Sequence, residues 1–95
     1  MKLTGKCKAD FKKWYVSTQK YFYDIDYAPN NMKYGVYVDF FVSVGLNVLM
    51  FTQDAKNYYT NILKNGRYLI KVGGYNTRQE AREQAIEKAN EIYNG

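Results

Sequence analysis

The side chains able to hold an anion fall into three groups. Lys6, Lys13 and Lys20 recur at helical spacing along one side of residues 2–20, with Lys2 beside them and Lys12 flanking. Lys64, Arg67 and Lys71 gather in "KNGRYLIK". Arg78 and Arg82 open the stretch "NTRQEAREQAIEKANEIYN" four residues apart, which puts them on one helix face. Cations so placed can neutralise phosphates or meet an acidic partner surface. Arg78 falls in a first helical turn, where the dipole is already positive and a cation is mildly unfavourable. Together with the helix N-terminus, the two arginines are placed to hold a phosphate. The plain alternative is a solvated helix end.

Other chemistry finds little support. The chain has no histidine, so the commonest general base and a common metal ligand are missing. Cys7 is the only cysteine and lies on an apolar helical stripe, where it reads as a small core residue. "VGGYN" lacks the lysine and the glycine spacing of a phosphate loop. Asp24 and Asp26 lie two apart with nothing to complete a metal ligand set, so a solvated loop is expected. Asp39 reads as an exposed position or a buried partner for a lysine. No enzymatic activity, metal or cofactor is expected.

Ninety-five residues, 46% of them hydrophobic, suit one small domain with a modest core, spanning 1–95. Eleven of the aromatic residues are tyrosines, which suit positions with a packed ring and a wet hydroxyl. The net charge of +5 is uneven. Residues 1–20 carry +5, 21–40 carry −2, 41–76 carry +3 and 77–95 carry −1. A lone cysteine, no apolar leader segment and an interrupted apolar run in "GVYVDFFVSVGLNVLMF" lead to the expectation of a soluble cytoplasmic protein without a membrane span.

The pattern predicts an α+β fold. Thr4 is placed to cap a first helix whose apolar side is Cys7, Phe11, Trp14, Tyr15 and Thr18. "YFYDIDYAPNN" reads as a short strand or an aromatic connector, closed by Pro29, with Asn30 or Asn31 placed to cap the next element. Residues 32–44 fit both periods. As a strand, Tyr34, Val36, Val38, Phe40, Val42 and Val44 share a face. As a helix, Met32, Val36, Phe40 and Val44 form a stripe, with Tyr37 and Phe41 beside it. Gly45 favours the helix as its terminal glycine. Three strands come next, about Leu46–Thr52, Tyr58–Leu63 and "RYLIKVG", with Asn65-Gly66 as a hairpin turn and Gly73-Gly74 as the end of the third. Thr77 and Glu80 form a capping box for the last helix, which buries Ala81, Ala85, Ala89 and Ile92, with Ile86 and Tyr93 beside them. The order is therefore α-α-β-β-β-α, or α-β-β-β-α with residues 34–44 as a strand.

Two resemblances add to this. "RQEAR" at 78–82 resembles the basic start of the last helix in double-stranded-RNA-binding domains, where a Lys-Lys-x-Ala-Lys motif contacts phosphates across a groove. The Gly-Pro-x-His loop of that family has no counterpart here. "MKYGVYVDFFVSVGL" followed by "YNTRQEAREQAIEKANEIYN" resembles small accessory proteins carried by phages and prophages of Bacteroidota-type bacteria, over roughly residues 32–94. Val42 stands where those proteins would carry an acidic residue. This second resemblance favours the helix at 32–44. It implies a non-enzymatic protein that inhibits a host system by binding a host protein or nucleoprotein complex, with a CRISPR effector nuclease or its guide RNA as one target. The alternatives are direct binding of RNA or DNA through the same cations, and a homo-oligomer built on tyrosines.

Overall fold

The computed structural model describes residues 1–18, 24–54 and 57–95. Three helices, α1 (Gly5–Thr18), α2 (Asn30–Ser43) and α3 (Arg78–Asn94), accompany three strands, β1 (Leu46–Asp54), β2 (Asn57–Lys64) and β3 (Arg67–Tyr75). The order is α-α-β-β-β-α, and the fold is α+β. Residues 30–43 are helical, so the strand reading of 34–44 does not hold. Two ends decide it. Pro29 precedes the helix with an extended backbone, and Gly45, at φ +86, takes the left-handed position past its end and donates to the Val42 carbonyl at 3.0 Å. Pro29 is itself the N-cap; Asn30 is already helical, and no side chain caps this end. Val36, Tyr37, Phe40 and Phe41 form the buried face, while Met32 and Val44 of the expected stripe are exposed. Asp39 is exposed as well.

The strands form an antiparallel sheet in the order β1-β2-β3. Asn65 (φ 52) and Gly66 (φ 82) both take positive φ at the tight β2–β3 turn, as the Asn-Gly pair predicts. The third strand does not end at Gly73-Gly74 but runs on to Tyr75. Gly74, at φ +85, is the extra residue of a bulge, since Tyr58 pairs with Tyr75 and Tyr59 with Gly73. Residues 25–27 form a short 3-10 helix rather than a strand, with the Asp24 side chain accepting from the Asp26 amide. The rest of that expected strand, residues 21–23, lies outside the described residues.

All three helices lie on one side of the sheet. Leu46, Val48, Thr60 and Ile62 point inward and are buried against α2 and α3, whose Phe40, Phe41, Ala85, Ile86 and Ala89 complete the core. The alanines of α3 let its axis sit close to the strands. The helix α1 packs on α2 and α3, chiefly through Cys7 and Phe11. The Phe11 ring meets Tyr37 edge-on at 5.0 Å and Phe40 at 5.5 Å.

The start of α1 is joined to the end of α3 by two asparagines. Asn94 Oδ1 accepts from the Cys7 amide (2.8 Å), and Asn90 Oδ1 accepts from the Thr4 amide (2.9 Å). The Thr4 hydroxyl, expected as the cap, accepts from Asn90 Nδ2 (2.9 Å). Amides at a helix start lack intrahelical partners. Here a distant helix supplies acceptors for them, so the first and last helices are fixed to each other through polar groups.

Candidate functional site

Among the described residues, no helix packs on the outer face of the sheet. Strand register places nine residues there in three rows: Asn47, Leu63 and Tyr68; Leu49, Asn61 and Lys71; Phe51, Tyr59 and Gly73. Leu49 is 55% exposed and Tyr68 60% exposed, and Leu69 adds 44% at a second bulge. Phe51 and Tyr59 stack across the β1–β2 pair with centroids 5.5 Å apart and ring planes 22° apart. The Lys71 ammonium lies over both rings, 4.3 Å from Tyr59 and 5.6 Å from Phe51. Gly73 leaves the space that the Tyr59 ring fills; a Cβ built there would overlap the ring. The result is a firm aromatic and aliphatic surface with one cation at its middle row.

The expected anion-holding residues do not converge into one patch. Lys71 lies on the outer sheet face. Lys64 and Arg67 are exposed at the Asn65-Gly66 turn, at one end of that face. Arg78 is exposed at the first turn of α3, beyond the other end of β3. The Thr77 hydroxyl caps this turn, accepting from the Glu80 amide at 3.1 Å. Arg82 does not stand free beside Arg78. Its guanidinium lies 5.2 Å from the centroid of the Tyr34 ring, and its Nε is buried with no hydrogen-bond partner among the described residues. Burial pushes the Tyr34 hydroxyl above its usual range, with Arg82 opposing. The arginine that would complete a two-pronged grip is therefore packed against α2.

On α1, Lys6 and Lys13 are exposed, and Lys20 lies outside the described residues. Lys6 pairs with Asp10 and lies 5.1 Å from the centroid of the Tyr93 ring. The Tyr93 hydroxyl donates to Asp10 at 2.5 Å. The hydrogen bond from Lys6, then that from Tyr93, holds the Asp10 carboxyl below the usual carboxylate range. Lys6 is thus engaged within the fold. About 24 Å of helix axis separate Arg78 from Asn94, the residue that caps α1, so the α3 arginines and the start of α1 belong to different parts of the surface.

Catalytic and metal chemistry gain no geometry. Cys7 is fully buried, and desolvation pushes its thiol up to about 11, with Asp10 adding to the rise and Lys6 opposing it. It is a core thiol at neutral pH. Among the described residues, no group of three or more Cys, Asp or Glu side chains is placed to share a metal ion. No described helix is long and apolar enough to cross a membrane.

The architecture defines a class: a small α+β protein whose sheet is covered by helices on one face and open on the other. No protein-family model, curated protein or solved structure matches this chain.

Sequence reasoning had named Lys71 but not the residues around it. Leu49, Phe51, Tyr59 and Tyr68 left a readable signal. In "LNVLMF" apolar residues occupy both strand faces, whereas an antiparallel strand with one solvated face normally alternates. A strand apolar on both sides in a sheet with helices on only one side has a surface without a structural duty.

Proposed function

We propose that this protein is a non-enzymatic binding module of the phage and prophage accessory type, which acts by occupying the surface of a host protein or nucleoprotein complex with its open sheet face. The observation that carries this reading is the outer-face set of exposed Leu49 and Tyr68 beside half-buried Phe51 and Tyr59 on an antiparallel sheet. Aromatic and aliphatic anchors held on regular structure supply most of the energy of a protein interface. A CRISPR effector is one target that suits the sequence resemblance.

The charge distribution favours a protein over a nucleic acid as the first partner. Nucleic-acid affinity comes mainly from neutralised phosphates. The nine register positions of the open face hold one cation, Lys71, and Lys64 and Arg67 stand at its end. Such a face suits a partner that buries apolar surface. The test is capture of partners from a host lysate by the tagged full chain, with and without nuclease, beside the variant Leu49→Asp/Tyr68→Asp. A protein retained after nuclease treatment and lost with the variant supports the reading. Retention by the variant overturns it.

A second reading, direct binding of single-stranded RNA or DNA, is favoured by the Lys71 ammonium above the Phe51–Tyr59 stack, since bases stack on such rings. Anisotropy of labelled oligonucleotides across a salt series tests it. Binding that weakens steeply with salt and is lost in Lys71→Glu supports it, while no binding at low salt removes it.

A further inference from the structure

A cleft of about 590 Å³ opens between α1, the 3-10 helix and the first half of α2, lined by no residue of the sheet. Its volume is within the range of small-molecule sites. Phe11, Ile25 and Tyr37 form a buried apolar floor, and the half-buried Tyr15 ring stands beside Phe11 at 5.6 Å. Lys2, Lys8, Lys12 and Lys33 line the cleft. None of the four makes an ion pair among the described residues. Lys8 and Lys12 are one helical turn apart, close enough for both ammonium groups to reach a single phosphate.

Four cations against two carboxylates, Asp24 and Asp26, leave the cleft with a surplus of positive charge and mutual repulsion among the lysines. An anion between them removes that repulsion. The same cleft offers an apolar floor and, in its lining, the exposed Asp26 carboxylate. Asp24 is partly committed, because its Oδ1 accepts from the Asp26 amide at 3.0 Å. A fitting ligand therefore combines three features: a phosphate, a planar apolar body and a hydrogen-bond donor. Inorganic phosphate has only the first, and a fatty acid has none of the three.

From this complementarity we infer that the cleft binds a nucleotide, with its phosphate held by Lys8, Lys12 and the other lining lysines, its base against Tyr15 and the apolar floor, and a ribose hydroxyl or base amino group donating to Asp26. The site is separate from the open sheet face, so the two can be tested independently.

The test uses the full chain and its only tryptophan, Trp14, which lies on α1 next to Phe11 and Tyr15. Fluorescence is titrated with AMP, GMP, CMP and UMP, and in parallel with inorganic phosphate and the matching nucleosides. At least one nucleotide is expected to saturate the signal and to bind more tightly than either inorganic phosphate or its nucleoside. Lys8→Glu/Lys12→Glu should weaken it by about tenfold or more, with the circular dichroism unchanged. Lys8→Gln/Lys12→Gln, which adds no new charge, should weaken it less and guards against a folding defect in the first variant. Equal binding of phosphate and nucleotide would mean an adventitious ion only and overturns the proposal. Absence of saturation by every nucleotide, or a nucleotide response unchanged in both lysine variants, overturns it too.

Discussion

The two faces of the sheet are built from the same three strands and carry nearly the same amount of apolar side chain, yet only one contributes to the core. On the inner face Ile62 is fully buried and Val48 is 4% exposed, both covered by α2 and α3. On the outer face Leu49, the residue next to Val48, is 55% exposed. Burial of a large aliphatic side chain is worth roughly 1.5–3 kcal/mol. The inner face collects that stabilisation on folding, and the outer face does not. The difference shows that hydrophobic patterning along a strand does not by itself say which of its faces the fold buries.

The sharpest way to break this comparison is a pair of matched truncations. Ile62→Ala should cost about 3 kcal/mol, because it opens a cavity under α2 and α3. Leu49→Ala should cost about 0.5 kcal/mol or less, as exposed positions do. Urea unfolding followed by circular dichroism measures both. Equal costs would show that the outer face is structural after all. Capture of the partner should reverse the ranking, with Leu49→Ala the more damaging change once the folded fraction is matched.

The next effect is on the helical side. Asn90 is 6% exposed and joins Thr4 through its amide oxygen and nitrogen, both at 2.9 Å. Asn90→Ala should cost about 2 kcal/mol, from two lost hydrogen bonds, a part-buried Thr4 amide left without its acceptor and the space the buried Asn90 side chain vacates. Amide hydrogen exchange should speed up at the start of α1 while the strands keep their protection. Uniform loss of protection would mean that α1 and the sheet unfold as one unit.

These regions also differ in how far the sequence disclosed them. The last helix was legible because three signals agree: a capping box at Thr77, alanines at helical spacing and glutamates on the outside. The Asn65-Gly66 turn was legible because its backbone demands positive φ, which few residue pairs accept. Residues 30–43 were not settled by local signals, since β-branched and aromatic side chains at even spacing satisfy a strand and a helix stripe alike. The helix prevails through its two ends and through the packing of Phe40 and Phe41. The asparagine clamp was hidden, because it joins residues 86 or more apart and an asparagine near a helix end looks like an ordinary terminus. The cations were visible, but their grouping by sequence spacing could not show that Arg82 turns onto Tyr34 or that Lys6 is held by Asp10. Lys8, Lys12 and Lys33 converge only because α1 crosses α2.

On the outer face, Gly73 tests whether the aromatic stack is fixed. Gly73→Ala puts a Cβ into the Tyr59 ring, which must swing away from Phe51 and Lys71. The cost should be about 1–2 kcal/mol, typical of overpacking at a site with some room to yield. The upfield shift of the Lys71 side-chain protons in an NMR spectrum should collapse. Should the shift persist, the stack is more adaptable than the register suggests, and the face would fit a wider range of partners.

The smallest effect lies at the edge of the helical layer, in Lys6, Asp10 and Tyr93. The Asp10 carboxyl is held below its usual range, so its contribution to stability is present above the ordinary aspartate value and fades as pH falls through it. Tyr93 is raised, first by its hydrogen bond to Asp10, and Lys6 is raised by the same carboxylate. Their contributions are present at neutral pH and fade as pH rises past roughly 10, where both groups ordinarily titrate. The trio therefore supports the fold across a broad middle window and gives way at both ends. Tyr93→Phe keeps the ring against Phe40 and removes only the hydroxyl. Its melting temperature should fall slightly below that of the parent between about pH 5 and pH 9, and the two should converge in acid, where Asp10 is protonated in both. Added salt should narrow the gap, because the ion pair is exposed to solvent. A gap that persists at low pH would show that the hydroxyl acts through packing instead of through the Asp10 charge, and would move Tyr93 from the polar edge of the helical layer into its core.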